Sequence, residues 1–375
     1  MTIKKESAGI FESPAESEMG LEDDNTAPRH NLFAPYSTTG RISEMKKKIK
    51  DRVYVLGEIA ESGKSTALYA QFNTGKTLIT LKLIVEAIED GRIDPKTVTY
   101  INADDDEDGA AEKGEIIERY GFEQAAIGHW GITREAAIAL IREMIELDFA
   151  RENIVVIDTY VSFVDPNDKR DQKDFILLIK DFVAKGGTII ILCNTNKHKR
   201  EGKSVYGGTS DLNDAVSASY VLDTVDENDE FRTVEFVMGK NRGGNAAKAT
   251  YRYKHLLKRD YIGTFNSVEL VDDQERNRVI AQKITKENLE SHKEEIEIIE
   301  SLINSGTTKR TELLKEAHKE TSTSHSKLKN ILKIHEGDLY DHGHRWKGKK
   351  GDKNSTIYSL TPRVNPYING KCPEY

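Results

Sequence analysis

At 375 residues and 42.3 kDa the chain exceeds a mini-domain and has length for two domains, or for one larger core with appendages. With 37% hydrophobic and 31% charged residues and a mean hydropathy of -0.60, it is polar for a globular enzyme yet too apolar to be disordered throughout. The net charge of -8 is uneven: residues 301–375 hold fourteen Lys/Arg against eight Asp/Glu, a basic block of +6 behind an acidic body of -14, which points to an anionic partner at that end.

No run approaches the roughly eighteen apolar residues of a membrane span, and the opening MTIKKESAGIFESPAESEMG lacks the apolar stretch of a signal peptide. A cytoplasmic protein with no membrane partner is therefore expected. Cys193 and Cys372 are too few and too far apart for a disulfide framework or a four-cysteine zinc site, so reduced thiols are expected.

Along the chain, residues 1–50 mix Ser, Glu, Asp, Pro and Lys with little apolar periodicity and read as a flexible arm ending in Lys46, Lys47, Lys48 and Lys50. From residue 51 the texture changes. The apolar runs STALYA, VTYINA, NIVVIDTY and GTIIILCN are separated by helix-like stretches at 77–90, 110–120, 134–148 and 171–185, which predicts an α/β domain over 51–270 with a mostly parallel central sheet. Three later runs, SASYVLD, FRTVEFVMG and ATYRYKH, lack long helices between them and are expected as antiparallel additions at one edge. Residues 271–294 read as a linker or connecting helix, 295–362 as a second small domain, and 363–375 as a tail. In that second domain, helices are expected at 294–304, 309–318 and 323–334, followed by two strands around a basic turn in RWKGKKGDKNSTIYSL.

The strongest chemical signal is AQFNTGKT, Ala70 to Thr77, between a β-type run and a helical one. A P-loop needs Gly, four residues, then Gly-Lys-Ser/Thr; here Ala70 stands at the first glycine position, and Gly75, Lys76 and Thr77 are intact. Such a loop offers the backbone of Ala70, Asn73, Thr74 and Gly75 to phosphate. Lys76 can neutralise β/γ oxygens, and the Thr77 hydroxyl can hold Mg²⁺. Alone, Gly-Lys-Thr is more often a chance helix start. Strand-loop-helix context changes those odds and predicts an acidic residue at the end of a later buried strand. Ile154 to Ile157 followed by Asp158 supplies it, a carboxylate that can orient Mg²⁺, where a surface-turn aspartate is the plainer alternative. Between the two lies a strand ending in Asp104, Asp105 and Asp106, then Glu107 and Asp108; most of such a run is solvated, and Asp104 is the candidate water-activating base.

With these motifs in this order, residues 53–255 resemble the RecA-like ATPases, specifically the branch with plasmid RepA-type and DnaB-type hexameric helicases and related phage ATPases. The resemblance implies ATP and Mg²⁺ as cofactors and a homo-oligomer, a hexamer in that family. It implies that Asp104 takes the place of the family's catalytic glutamate. It sets Cys193 and Asn194 at the positions of a His-His γ-phosphate sensor, with Asn196 and Lys197 matching the segment that follows. In the stretch after it, where the family has Arg-Gly-Ser-Ser, Tyr206 replaces the arginine while Gly208, Thr209 and Asp214 keep the pattern; in such ATPases this region lines a channel for single-stranded DNA. Lys240 and Arg242 in KNRGG are similar to the finger that reaches a neighbour's γ-phosphate, although for KNRGG by itself a hairpin turn with solvent-facing Lys and Arg is the better reading.

The C-terminal pattern resembles a winged helix-turn-helix. Ser324, His325, Ser326, Lys327 and Lys329 would lie on the recognition helix, and Arg345, Trp346, Lys347, Lys349 and Lys350 on the wing, where cations meet phosphate and Trp346 packs or stacks. Duplex DNA is the expected partner there, with a protein-binding winged helix as the alternative. The resulting expectation is a ring ATPase acting on DNA, a replicative or recombination helicase; the alternatives are a non-motor ATP-dependent DNA-binding protein (initiator, loader or regulator) with slow hydrolysis, and a non-enzymatic adaptor.

Overall fold

Residues 34, 37–165, 168–195, 210–254, 260–351 and 355–363 are described by the structure, a computed structural model. The chain divides into two units, Met1–Asp51 and Arg52–Tyr375. In the first, helix α1 (Ile42–Lys50) forms at the end of the segment expected as a flexible arm, because Ile42, Met45 and Ile49 recur at helical spacing among helix-forming lysines.

The second unit opens with a short antiparallel pair, β1 (Tyr54–Leu56) and β2 (Ala60–Glu61), then alternates strands and helices. These are β3 (Ser65–Ala70), α2 (Lys76–Glu89), β4 (Val98–Asn102), α3 (Glu107–Tyr120), β5 (Glu123–Ala126), α4 (Arg134–Glu146), β6 (Ile154–Asp158), α5 (Lys169–Ala184) and β7 (Thr188–Asn194). The short helix α6 (Ser210–Ala215) leads to β8 (Ala218–Glu227), β9 (Phe231–Asn241), β10 (Lys248–Lys254), α7 (Tyr261–Asn266) and β11 (Glu269–Leu270).

The result is α/β: nine strands in the order β11-β10-β9-β8-β3-β7-β6-β4-β5, parallel from β8 to β5 and antiparallel from β8 to β11. One expectation is corrected here. SASYVLD is not an antiparallel addition: β8 runs parallel to β3, Thr66 opposite Ala218, because the chain crosses over from β7 through α6 before it enters the sheet. β5, whose sequence EQAA lacks β-branched residues, is a strand the periodicity does not reveal.

Both faces of the sheet are covered, so its central strands are apolar at every position rather than at alternate ones. In β7, Ile190 and Leu192 join the core beneath α2 and α3, while Ile189, Ile191 and Cys193 join the core beneath α4 and α5. Each such fully buried branched side chain contributes roughly 1.5–3 kcal/mol. The parallel register aligns the strand ends along one edge: Ala70 lies opposite Asn194, Asp158 opposite Leu192, and Asn102 opposite Asp158.

The segment expected as a linker or connecting helix is helix α8 (Asp273–Ser291), capped by Asp272 and bonded to the sheet: Arg276 pairs with Glu235 of β9, and Lys283 Nζ donates to the Thr224 carbonyl of β8 at 3.4 Å. Then follow α9 (Lys293–Asn304), α10 (Arg310–Thr321), α11 (His325–Ile334) and the hairpin β12 (Trp346–Lys350) and β13 (Thr356–Leu360), around a core of Ile299, Leu313, Leu328, Ile331 and Trp346. Where α8 meets α9, His292 Nδ1 lies 3.1 Å from His335 Nε2. Among the described residues no helix is long and apolar enough to cross a membrane.

Candidate functional site

The loop joining β3 to α2 turns sharply, with left-handed backbone at Asn73 (φ 61) and Gly75 (φ 88). Lys76 and Thr77 open α2, and the apolar residues behind them, Leu78, Ile79 and Leu81, anchor the helix in the core. The Lys76 side chain is only 8% exposed. Its ammonium donates to Asn194 Oδ1 at 3.2 Å and stands 4.0 Å from Asp158 Oδ1. Thr77 Oγ1 donates to Asp158 Oδ2 at 2.6 Å. Residues from two neighbouring strand ends, β6 and β7, thus meet the first two residues of α2.

Asp158 is buried and takes a second hydrogen bond, from Tyr100 Oη at 2.8 Å. Burial, then the neighbouring Asp158 carboxylate, raises the Tyr100 pKa well above the ordinary tyrosine value, so its hydroxyl stays a donor. Ala70, fully buried, closes β3 between β7 and β8. Thr74 is buried within the loop and Asn73 is exposed.

The acidic run divides its roles. Asp106 caps α3 by accepting from Gly109 N, and Asp105 pairs with Lys113. Asp104 is solvent-exposed, yet the protein atoms around its carboxyl, then Asp158, raise its pKa, while Lys76 pulls it down. Cys193 is not at the surface of the site: its thiol is buried and burial pushes its pKa to about 12, leaving it an inert core group.

Nucleotide and Mg²⁺ fit these residues. A buried ammonium, a hydroxyl and a buried carboxylate form a set suited to phosphate and a hard cation. Two buried polar atoms at the same strand ends, Asn102 Nδ2 and Thr195 Oγ1, have no partner among the described residues, which is costly unless a ligand or water meets them.

Lys240 and Arg242 lie elsewhere. Lys240 Nζ donates to the Asn213 carbonyl at 2.8 Å and Arg242 Nη2 to the Asp214 carbonyl at 3.2 Å, closing the C-terminal end of α6. Burial, then Arg242, lowers the Lys240 pKa. Arg242 N bonds the Ser217 carbonyl, just before β8, at the end of the sheet opposite Lys76. The six residues of β3 separate the two ends, about 20 Å at roughly 3.3 Å per residue. Asn196, Lys197, Tyr206, Gly208 and Thr209 lie outside the described residues.

In the C-terminal bundle, a groove of about 760 Å³ is lined by Arg310, Ser324, Lys327, Lys329 and Lys333, with the carboxylate of Glu336 among them. Some cations there have partners within the chain: Lys327 pairs with Glu295 at 2.8 Å and Lys347 with Asp338 at 2.8 Å. Arg345 donates to the Tyr340 carbonyl at 3.0 Å and lies 4.0 Å over the Tyr340 ring. Lys329, Lys349 and Lys350 are exposed. Trp346 packs rather than stacks: it is fully buried and its Nε1 donates to the Leu332 carbonyl at 2.8 Å.

Sequence reasoning missed Tyr100 and Asn102. Asn102, a polar residue closing an apolar strand, left a trace in INADD; Tyr100 carries no local motif, because its bond to Asp158 depends on which strands lie side by side. No protein-family model matches the sequence, and no curated protein matches it.

Proposed function

We propose that the protein is a RecA-like P-loop ATPase that acts on DNA as an oligomeric ring, a replicative or recombination helicase. The reading rests on one observation, the convergence of Lys76, Thr77 and Asp158 where β3 and β6 end against α2. In this reading Lys76 binds the β/γ-phosphate oxygens, and the loop N–H groups at the helix start cradle the rest. Thr77 and Asp158, already bonded to each other, hold Mg²⁺, which when bound offsets phosphate charge. Asn194 and Lys76 orient each other beside the γ-phosphate, and Asp104 takes the proton of the attacking water. Arg242, at the far end of the sheet, serves the site of a neighbouring subunit in a homo-oligomer, a hexamer by resemblance.

The C-terminal bundle is read as a winged helix that binds duplex DNA. Its groove carries Arg310, Lys327, Lys329 and Lys333, and the exposed Lys349 and Lys350 of β12 extend the cationic surface.

Hydrolysis of ATP with and without single-stranded DNA tests the proposal. Wild type should be stimulated by DNA, and Lys76→Ala should lose hydrolysis while still binding DNA. Hydrolysis by Lys76→Ala at the wild-type rate would remove the site assignment. A second reading, a non-motor ATP-dependent DNA-binding protein with slow hydrolysis, draws on the short, exposed Asp104 carboxylate. Strand displacement on a forked substrate decides between them, since ATP-driven unwinding requires the motor.

A further inference from the structure

The loop proposed to hold phosphate is gripped from the antiparallel half of the sheet. Glu227 of β8, Arg232 of β9 and Tyr253 of β10 stand in register, Glu227 opposite Arg232 and Arg232 opposite Tyr253, so their side chains form one rung across three strands. Arg232 Nη2 donates to Glu227, and Nη1 donates both to Tyr253 Oη, at 3.2 Å, and to the main-chain carbonyl of Asn73. The Tyr253 ring covers Gly75 so closely that a Cβ there would lie 2.7 Å from it.

The rung therefore touches both left-handed residues of the loop, Asn73 and Gly75. A non-glycine residue in that region is strained and persists where its surroundings hold it. At Asn73 the holding group is a guanidinium, bonded to the carbonyl and fixed by Glu227; at Gly75 it is an aromatic ring that is itself buried. We infer that Arg232 and Tyr253 are positioning residues for the nucleotide, holding the loop in the turn that presents its N–H groups to phosphate. Arg232 also brings a positive charge to the rear of the loop, and its Nε is buried with no partner among the described residues. Because the rung grips the loop and not the reacting γ-phosphate, its removal weakens ATP and ADP alike and acts on binding more than on turnover. The inference depends on the nucleotide reading above.

The test is calorimetric binding of MgATP and ADP to the full chain, with thermal unfolding of the same proteins without nucleotide. Arg232→Gln should weaken both nucleotides about tenfold or more, the range for losing a charged hydrogen bond, with KM rising and kcat little changed. Arg232→Lys, which keeps the charge but loses the planar fork, should recover part of the loss. Tyr253→Phe, which keeps the ring on Gly75, should show a smaller one. Lys248→Gln, an exposed cation at the far end of β10, serves as control and should change nothing. Wild-type affinity in Arg232→Gln would overturn the inference, as would a loss confined to ATP or one explained by a fall in the unfolding midpoint. If wild type itself binds neither nucleotide, the nucleotide reading fails first and takes the inference with it.

Discussion

Asp158 Oδ2 accepts from Thr77 and from Tyr100, which fixes the carboxylate with one oxygen toward the helix start and leaves Oδ1 facing Lys76. Among the described residues Asp104 has no such restraint, and its chemistry is set by surroundings instead. The protein atoms around its carboxyl, then Asp158, raise its pKa above the ordinary 3.8, so on acidification it takes up its proton at a higher pH than a free aspartate does. A base must be ionised to work, hence kcat should fall as pH drops through that raised pKa, with an acidic limb centred above 3.8. Asp104→Asn should abolish hydrolysis while leaving nucleotide binding intact; a kcat-pH profile with binding measured in parallel reads both. Lys76 and Thr77 were legible because loop chemistry fixes their place after Gly75, and Asp158 because it ends an unbroken apolar run. Tyr100 and Arg232 were not, since each acts on a residue dozens of positions away and only strand register brings them together.

At the level of elements, the alternation of apolar runs and helices predicted the four central parallel strands, β3, β4, β6 and β7, and helices close to α2, α4 and α5, but neither β5 nor the direction of β8. β8 was misjudged because the direction of a strand depends on the path that enters it, and its residues alone do not encode that path. In the C-terminal bundle the three helices and the hairpin were legible from Ile299, Leu302, Gly306 and the basic turn, whereas the choice between packing and stacking for Trp346 was not, because it depends on which helices close over the hairpin. Trp346 joins β12 to α11 through the Leu332 carbonyl, with its ring in the bundle core. Trp346→Ala should therefore destabilise the protein by about 3–5 kcal/mol, the range for deleting a buried large aromatic, which chemical denaturation followed on the bundle would detect.

For the whole molecule, the separation of Arg242 from Lys76 by the length of β3 has a direct consequence if both serve one reaction: the arginine must come from another subunit. Arg242→Ala and Lys76→Ala proteins should each be inactive alone and regain hydrolysis when mixed, because some neighbours then unite an intact lysine with an intact arginine. Absence of recovery in mixtures shown by sizing to co-assemble would return Arg242 to the role of closing α6. Helix α8 carries a further consequence. It is bonded to β8 and β9 through Lys283 and Arg276, and its last turn meets the bundle through the contact between His292 and His335. Tension drawn on the bundle by a tethered polymer would therefore enter the sheet at the strand beside β3, one hydrogen-bonded neighbour from the segment that leads into Gly75.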